Sequence, residues 1–462
     1  MSTDTLSTFQ PATAPGQPDS GARTDSVARQ AWRARALVFL CVFLPFAMGQ
    51  YMHALLRNVN AVLVPNLVSA FALDASQLGL LTSTFFFSVV VSQLPISAAL
   101  ERYGPYKVQV VLLMVAALGA VMFAYSHSFL ELMVARAVIG FGVGGTLMTA
   151  VKAVSGSVSA DKLPSSVGFL IAFGGLGSAS ATLPMRPLLA YTDWRGVFLL
   201  LAGLTAIIGL FAWFVRPRRA TVPLPKAPSL QALLQVCRHP GFRKTIMLVL
   251  VPHTVYWGVQ GLWIGRWLSD VARFSDSAVA YLLYLGMAAV IFGAVAVGMI
   301  TEWAGKRGLK PLDVAAVGLI GFVLVQAMIV FNYPPSFQML AVLFTLVGTI
   351  TGIEYTIVQQ SLPKELGAPA SSVLNMLIFS GAFLVQAGFG LIVDLWSPDS
   401  AGRYPVAAYQ VAFGVMLALQ LPGLLAYLHQ RRPVKCAIAG SHTSPCTTNE
   451  GDYEISTLRP AK

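Results

Sequence analysis

Apolar runs separated by short polar stretches fill the chain from about residue 37 to residue 428. A helix needs about 20 apolar residues to cross a bilayer, and twelve runs reach that length. The first six cover roughly 37–67, 77–100, 107–126, 129–153, 166–190 and 195–215. The second six cover roughly 245–268, 277–300, 312–331, 337–360, 370–395 and 406–428. The pattern predicts an all-α membrane protein with twelve transmembrane helices. Between the sixth and seventh runs, Pro217, Pro223, Pro225 and Pro228 interrupt any helix. Leu230 to Leu234 then reads as the start of a short amphipathic surface helix.

The two sets of six are related. Ser97-Ala98-Ala99-Leu100-Glu101-Arg102-Tyr103-Gly104-Pro105-Tyr106-Lys107, after span two, returns after span eight as Gly298 to Arg307. Each copy reads small residue, carboxylate, glycine, base, and Glu302 follows Glu101 by 201 positions. A second match pairs Leu170–Gly175 in span five with Leu377–Ala382 in span eleven, 207 positions on. Asp193-Trp194 follows the first of these, and Asp394 with Trp396 follows the second. Two copies of one membrane unit in tandem explain both offsets. The domains expected are a polar, disordered tail at 1–34, a six-helix bundle at 35–216, a linker at 217–244, a second bundle at 245–429 and a disordered tail at 430–462.

Composition agrees. The 462 residues are 56% hydrophobic and 11% charged, with mean hydropathy +0.69, against roughly 25% charged in soluble proteins. The net charge of +12 is concentrated in alternate loops, including Arg102 with Lys107, Arg216 to Arg219, Lys306 to Lys310 and Arg431 to Lys435. That alternation is the positive-inside bias, so a lipid bilayer and not nucleic acid is the expected partner. It puts both termini in the cytoplasm of a multi-pass protein in a plasma membrane, here a bacterial inner membrane. Cys41, Cys237, Cys436 and Cys446 have no C-x-x-C spacing, and neither a disulfide nor a metal site is expected.

Three groups of residues resemble the major facilitator superfamily: the loop after span two with its echo after span eight, Arg136-x-x-x-Gly140-x-Gly142 in span four, and Asp193-Trp194-Arg195-Gly196-Val197-Phe198 before span six. Ser97 stands where the family has its first glycine, and Glu101 where it usually has aspartate. The resemblance covers Arg35 to His429 and implies two pseudo-symmetric six-helix bundles around a central cavity. It also implies transport by rocking of the halves, with the loops acting in the conformational switch. Glu101, Arg102, Gly104, Lys107, Gly298, Glu302, Gly305, Lys306 and Arg307 are the gating candidates. Their carboxylates can latch onto bases of neighbouring helices, and the small residues at 97 and 298 permit close helix approach. Alternatively the bases only set topology.

The candidate chemistry lies within the apolar runs. Arg136 sits about seven residues into span four, where an arginine must face protein or water. It binds a substrate anion, pairs with a proton-carrying acid, or makes a structural helix-to-helix bond. Span one carries Gln50, Tyr51, Arg57, Asn58 and Asn60 on a polar face, lining a cavity unless Arg57 marks the outer interface. In span seven, His253, Trp257, Gln260 and Gly261 share one helical face beside Tyr256, a mixture suited to a small organic substrate. Trp263, Arg266 and Trp267 read as an interfacial aromatic belt. Glu354 is the carboxylate deepest in the second half's runs. In apolar surroundings it can exchange a proton near neutral pH, and His253 is a second titrating group. Arg186 is a further base, placed near the outer mouth.

Gly140 to Gly145 spells G-x-G-x-x-G, but inside a membrane helix it serves close packing and not a dinucleotide. No Walker loop, nucleophile setting or ligand cluster appears, so neither an enzyme nor a cofactor is expected. The reading is a proton-coupled symporter of a small anionic or zwitterionic solute, with an efflux pump for amphipathic compounds as the alternative. The lack of a Gly-Pro pair in span five weighs against the pump. A transporter-like sensor is the alternative of another class.

Overall fold

The computed structural model describes residues 39–158, 163–215, 230–331 and 336–430. The two tails, apart from the last helical residue at 430, and the proline-rich first part of the linker, 217–229, lie outside these residues. Among the described residues, ten helices are long and apolar enough to cross a membrane singly, and two bent helix pairs, each counted as one span, bring the number to twelve. The single spans are Phe39–Phe71, Ala75–Tyr103, Pro105–Ala124, Phe129–Ser155, Trp194–Phe214, Asp276–Gly305, Pro311–Val330, Phe337–Gln360, Pro369–Val393 and Val406–His429. Span five is Leu163–Ser180 with Met185–Tyr191, bent by 44°, and span seven is Pro240–Gln260 with Trp263–Asp270, bent by 54°. The amphipathic piece is a helix over Leu230–Arg238.

Local chemistry fixes the span ends. Asp74, Ser128, Asp193 and Ser275 each accept a hydrogen bond from the backbone N–H three residues on, capping spans two, four, six and eight. These four caps lie at one end of the bundle, called the far end. The opposite end, called the motif end, carries the repeated loops. There Gly104 has φ 77° and Gly308 has φ 79°, a backbone region that favours glycine. The turning glycine in the second copy is therefore Gly308. Gly305, expected to match Gly104, is the last residue of its helix.

The halves pack alike. Span one lies on five as seven lies on eleven, two on four as eight on ten, and three on six as nine on twelve. Glycines bring the backbones together. A Cβ on Gly140 would lie 2.7 Å from the Phe85 carbonyl of span two, and one on Gly142 would lie 2.4 Å from Ala116 N of span three. This is the close packing expected of that run. Spans nine and twelve are joined by a reciprocal amide pair: Gln326 Nε2 donates to Gln420 Oε1 at 3.2 Å, and Gln420 Nε2 donates to Gln326 Oε1 at 2.9 Å.

The aromatic belt of span seven is a correction. Trp263 and Trp267 are 0% and 1% exposed. Because the helix breaks at Gly261-Leu262 and turns, its last segment swings over the bundle instead of running out to the interface. Trp263 stacks on Phe389 with centroids 4.8 Å apart and donates to the Gln386 carbonyl at 3.0 Å.

Candidate substrate and proton site

Spans one and seven interrupt their helices at matching places. Span one does so at Val59, between Leu44–Asn58 and Asn60–Phe71, and span seven at Gly261-Leu262. His53 and His253 are 200 positions apart, as are Arg57 and Trp257, and Asn60 and Gln260. The spacing is close to the 201 and 207 offsets of the repeated motifs, so corresponding stretches of spans one and seven face one another across the boundary between halves.

There the Arg57 guanidinium lies over the Trp257 ring, 4.3 Å from its centroid. Trp257 packs beside His253, with ring centroids 5.9 Å apart, and edge-on to Phe379 of span eleven at 5.4 Å. Arg57, Trp257 and Gln260 are half-buried, whereas His253 is buried. The His253 Nδ1 atom meets a Glu354 carboxylate oxygen directly, and Glu354 is 0% exposed. Span ten tightens to a 3-10 turn over Thr349–Ile353 immediately before Glu354, a feature often found at functional hinges. One cluster thus joins a cation in the first half to an acid–imidazole pair in the second.

Of the other candidates, Tyr256 borders it, with its ring 6.5 Å from that of His253, and the rest fall outside it. Arg136, 1% exposed, donates from Nη1 to the Leu56 carbonyl at 2.7 Å and from Nη2 to the Arg57 carbonyl at 2.8 Å, with its guanidinium over Phe85. It ties span four to carbonyls freed at the span-one break and holds the backbone that carries Arg57. Tyr256 is buried against Phe322 and Phe344, and Gly348 lets it lie flat on span ten, since a Cβ there would sit 2.2 Å from its ring. Gln260 Nε2 meets the Met287 sulfur at 3.7 Å, and Tyr51 packs at the edge of the first-half core. Sequence reasoning passed over His53, whose Nδ1 donates to the Val143 carbonyl at 2.9 Å. The 200-residue offset to His253 was the available signal.

The halves meet at the far end. A Cβ on Gly79 would lie 2.9 Å from the Gln386 carbonyl, and one on Gly390 would lie 2.5 Å from the Ala75 carbonyl, so spans two and eleven touch by their main chains. The Tyr404 hydroxyl accepts from Ala75 N–H at 3.0 Å and donates to Asp394 at 3.0 Å. Arg186 reaches Asp276 at 3.8 Å and Ser277 at 3.2 Å. Toward the motif end of spans two and eight, Val91, Leu94, Val295 and Met299 are exposed. Among the gating residues, Glu302 pairs with Lys306 of its own helix at 2.8 Å, Arg102 lies over Tyr103, and Arg307 over Trp303. Glu101 and Lys107 are exposed, and a Cβ on Gly298 or Gly305 would meet open space. The close helix approach expected at Gly298 is thus absent from this conformation.

Two six-helix halves with a shared mid-depth cluster, sealed at one end, define a membrane carrier. The Major Facilitator Superfamily model matches residues 33–386, and the chain belongs to that superfamily: it is a multi-pass membrane transporter, not an enzyme. It is 25% identical to a probable sulfoacetate transporter of Cupriavidus necator over 404 residues, 82% of this chain and 90% of that one. It is 22% identical to a putative niacin/nicotinamide transporter of Bacillus subtilis, covering 75% of this chain and 81% of that one. The fold matches a crystal structure of a bacterial homologue of the human lysosomal transporter Spinster, inward-facing and unoccupied, with TM-score 0.69 and 16% identity over 84% of this chain and 95% of that one.

Proposed function

We propose that this transporter imports a small organic anion or zwitterion together with protons across a bacterial inner membrane, with both termini in the cytoplasm. The carrying observation is the cluster itself: half-buried Arg57 on Trp257, beside His253 in contact with buried Glu354. Arg57 receives the anionic group, and Trp257 offers a flat apolar surface to the rest of the solute. Glu354 and His253 hold the coupled proton. An uncompensated charge is costly in a low-dielectric interior. Loading the anion and the proton together quenches the charges on both halves, which lets the loaded carrier rock. One relative is named for sulfoacetate, an organic anion, and another for niacin and its neutral amide, which supports a small organic solute with an anionic group as the favoured class. With the basic loops on the cytoplasmic side, the conformation described is open inward. The loops of Glu101 and Glu302 latch in the outward-open state, which accounts for their local pairing here.

The test is uptake of labelled nicotinate and sulfoacetate into proteoliposomes under an inward proton gradient. Wild type is expected to accumulate at least one of them. Glu354→Gln is expected to abolish accumulation while counter-exchange persists. Accumulation unchanged in Glu354→Gln removes it from coupling, and gradient-driven extrusion by wild type establishes a pump instead.

A further inference from the structure

Asn60 is the polar side chain of span one that the fold leaves unused. It is 1% exposed, and neither Nδ2 nor Oδ1 has a hydrogen-bond partner. Its neighbours on the helix are satisfied: Asn58 Nδ2 donates to the Ala54 carbonyl and to Ser178 Oγ, both at 2.9 Å, and His53 bonds the Val143 carbonyl. A buried amide without partners is a cost that an apolar residue of similar shape would avoid.

Its position gives the amide a target. Backbone dihedrals at Val59 remain right-handed helical, so the helical phase carries through the break. Arg57, Asn60 and Val64 then lie at i, i+3 and i+7, on one face. That face meets the second half: Arg57 lies on Trp257, and Val64 packs with Val255, Val259 and Trp263. Asn60 stands between them, one turn beyond Arg57 toward the sealed far end. Its repeat mate Gln260 is half-buried on the facing span, and Gln386 beside the span-seven break keeps Oε1 unpartnered. Asn60 therefore lies between Arg57 and the sealed end, on the side from which a solute entering at the far end approaches the cation.

Resting on the reading that Arg57 takes an anion, we infer that Asn60 is a specificity-determining residue that hydrogen-bonds a second, uncharged polar group of the substrate. Side chains at i and i+3 stand about 5–6 Å apart. The preferred solute is therefore a small acid carrying a hydroxyl, carbonyl, amide or ring nitrogen about that far from its anionic group. An acid with only hydrocarbon there leaves the amide unpaired and is rejected.

The test compares matched acids by competition binding on the purified full chain: nicotinate against benzoate, and 4-hydroxybutyrate against butyrate. Wild type is expected to favour the member with the extra heteroatom by about tenfold or more. Asn60→Leu is expected to collapse that preference to within about twofold by weakening the favoured acid, with a melting temperature no lower than wild type. A preference that survives in Asn60→Leu, or is absent from wild type, overturns the inference. Arg57→Gln separates the underlying reading. It is expected to weaken both members of each pair equally, and undiminished binding there rejects the anion site itself. A merely structural Asn60 would change affinity for both members alike and leave their ratio fixed.

Discussion

Arg57 and Trp257 occupy equivalent positions 200 residues apart in a duplicated chain, and their side chains meet with the guanidinium carbon 4.3 Å from the ring centroid. The contact crosses the boundary between halves, so it reports on their approach as well as on substrate chemistry. A double-mutant cycle with Arg57→Ala and Trp257→Leu, read by thermal unfolding in detergent, should give a coupling of about 0.5–2 kcal/mol. Strict additivity would show that the contact carries no energy.

Arg136 should act on stability before it acts on transport. Its two charged donors satisfy the carbonyls of Leu56 and Arg57, and hydrogen bonds to charged groups are worth about 1.5–3 kcal/mol each. Arg136→Met should lower the unfolding midpoint by several degrees. Arg136→Lys should recover only part of it, because an ammonium lacks the forked geometry that spans two carbonyls. A variant as stable as wild type, with substrate affinity lost, would make Arg136 a direct ligand.

Gly390→Ala should hold the far end open. The added methyl would lie 2.5 Å from the Ala75 carbonyl, and a backbone atom has no rotamer by which to yield. In a cysteine-free background, Leu78→Cys, 2% exposed at the sealed far end, should react faster with a membrane-impermeant maleimide in this variant than without it. Equal rates would place the seam elsewhere.

Tyr404→Phe should shift the same equilibrium more gently, by about 3–10-fold, through loss of the hydrogen bond from Ala75 N–H that crosses the seam. Burial pushes the Tyr404 hydroxyl up to about 12. Its neutral form therefore stabilises the closed seam up to the ordinary tyrosine value of about 10. That contribution is lost as pH rises from there towards 12. Leu78→Cys labelling corrected for reagent pH dependence should be flat through neutrality and rise above about pH 10. A rise near neutrality would assign the seam to another group.

The architecture was legible because hydropathy is a strong signal in a bilayer: each run predicted over 37–428 became a span with ends shifted by a few residues. The breaks at Val59, Gly261-Leu262 and Thr349–Ile353 were not legible, since none carries a proline and each apolar run continues beyond its break. Missing the second of these misplaced Trp263 and Trp267, which a continuous helix would have carried to the interface. His253, Trp257 and Glu354 were visible as polar or aromatic exceptions within apolar runs, but their contact with one another depends on tertiary packing. Gly308 was hidden by the motif match, which drew attention to Gly305 at the spacing of Gly104.

At the far end, Gly79 and Gly390 let two main chains touch with no side chain between them. Such a joint has no rotamers to search each time it shuts, so it can reseal as fast as the two halves swing. Bare peptide planes also fit together in only one register, and a carrier that closes on them returns to the same shape after every cycle.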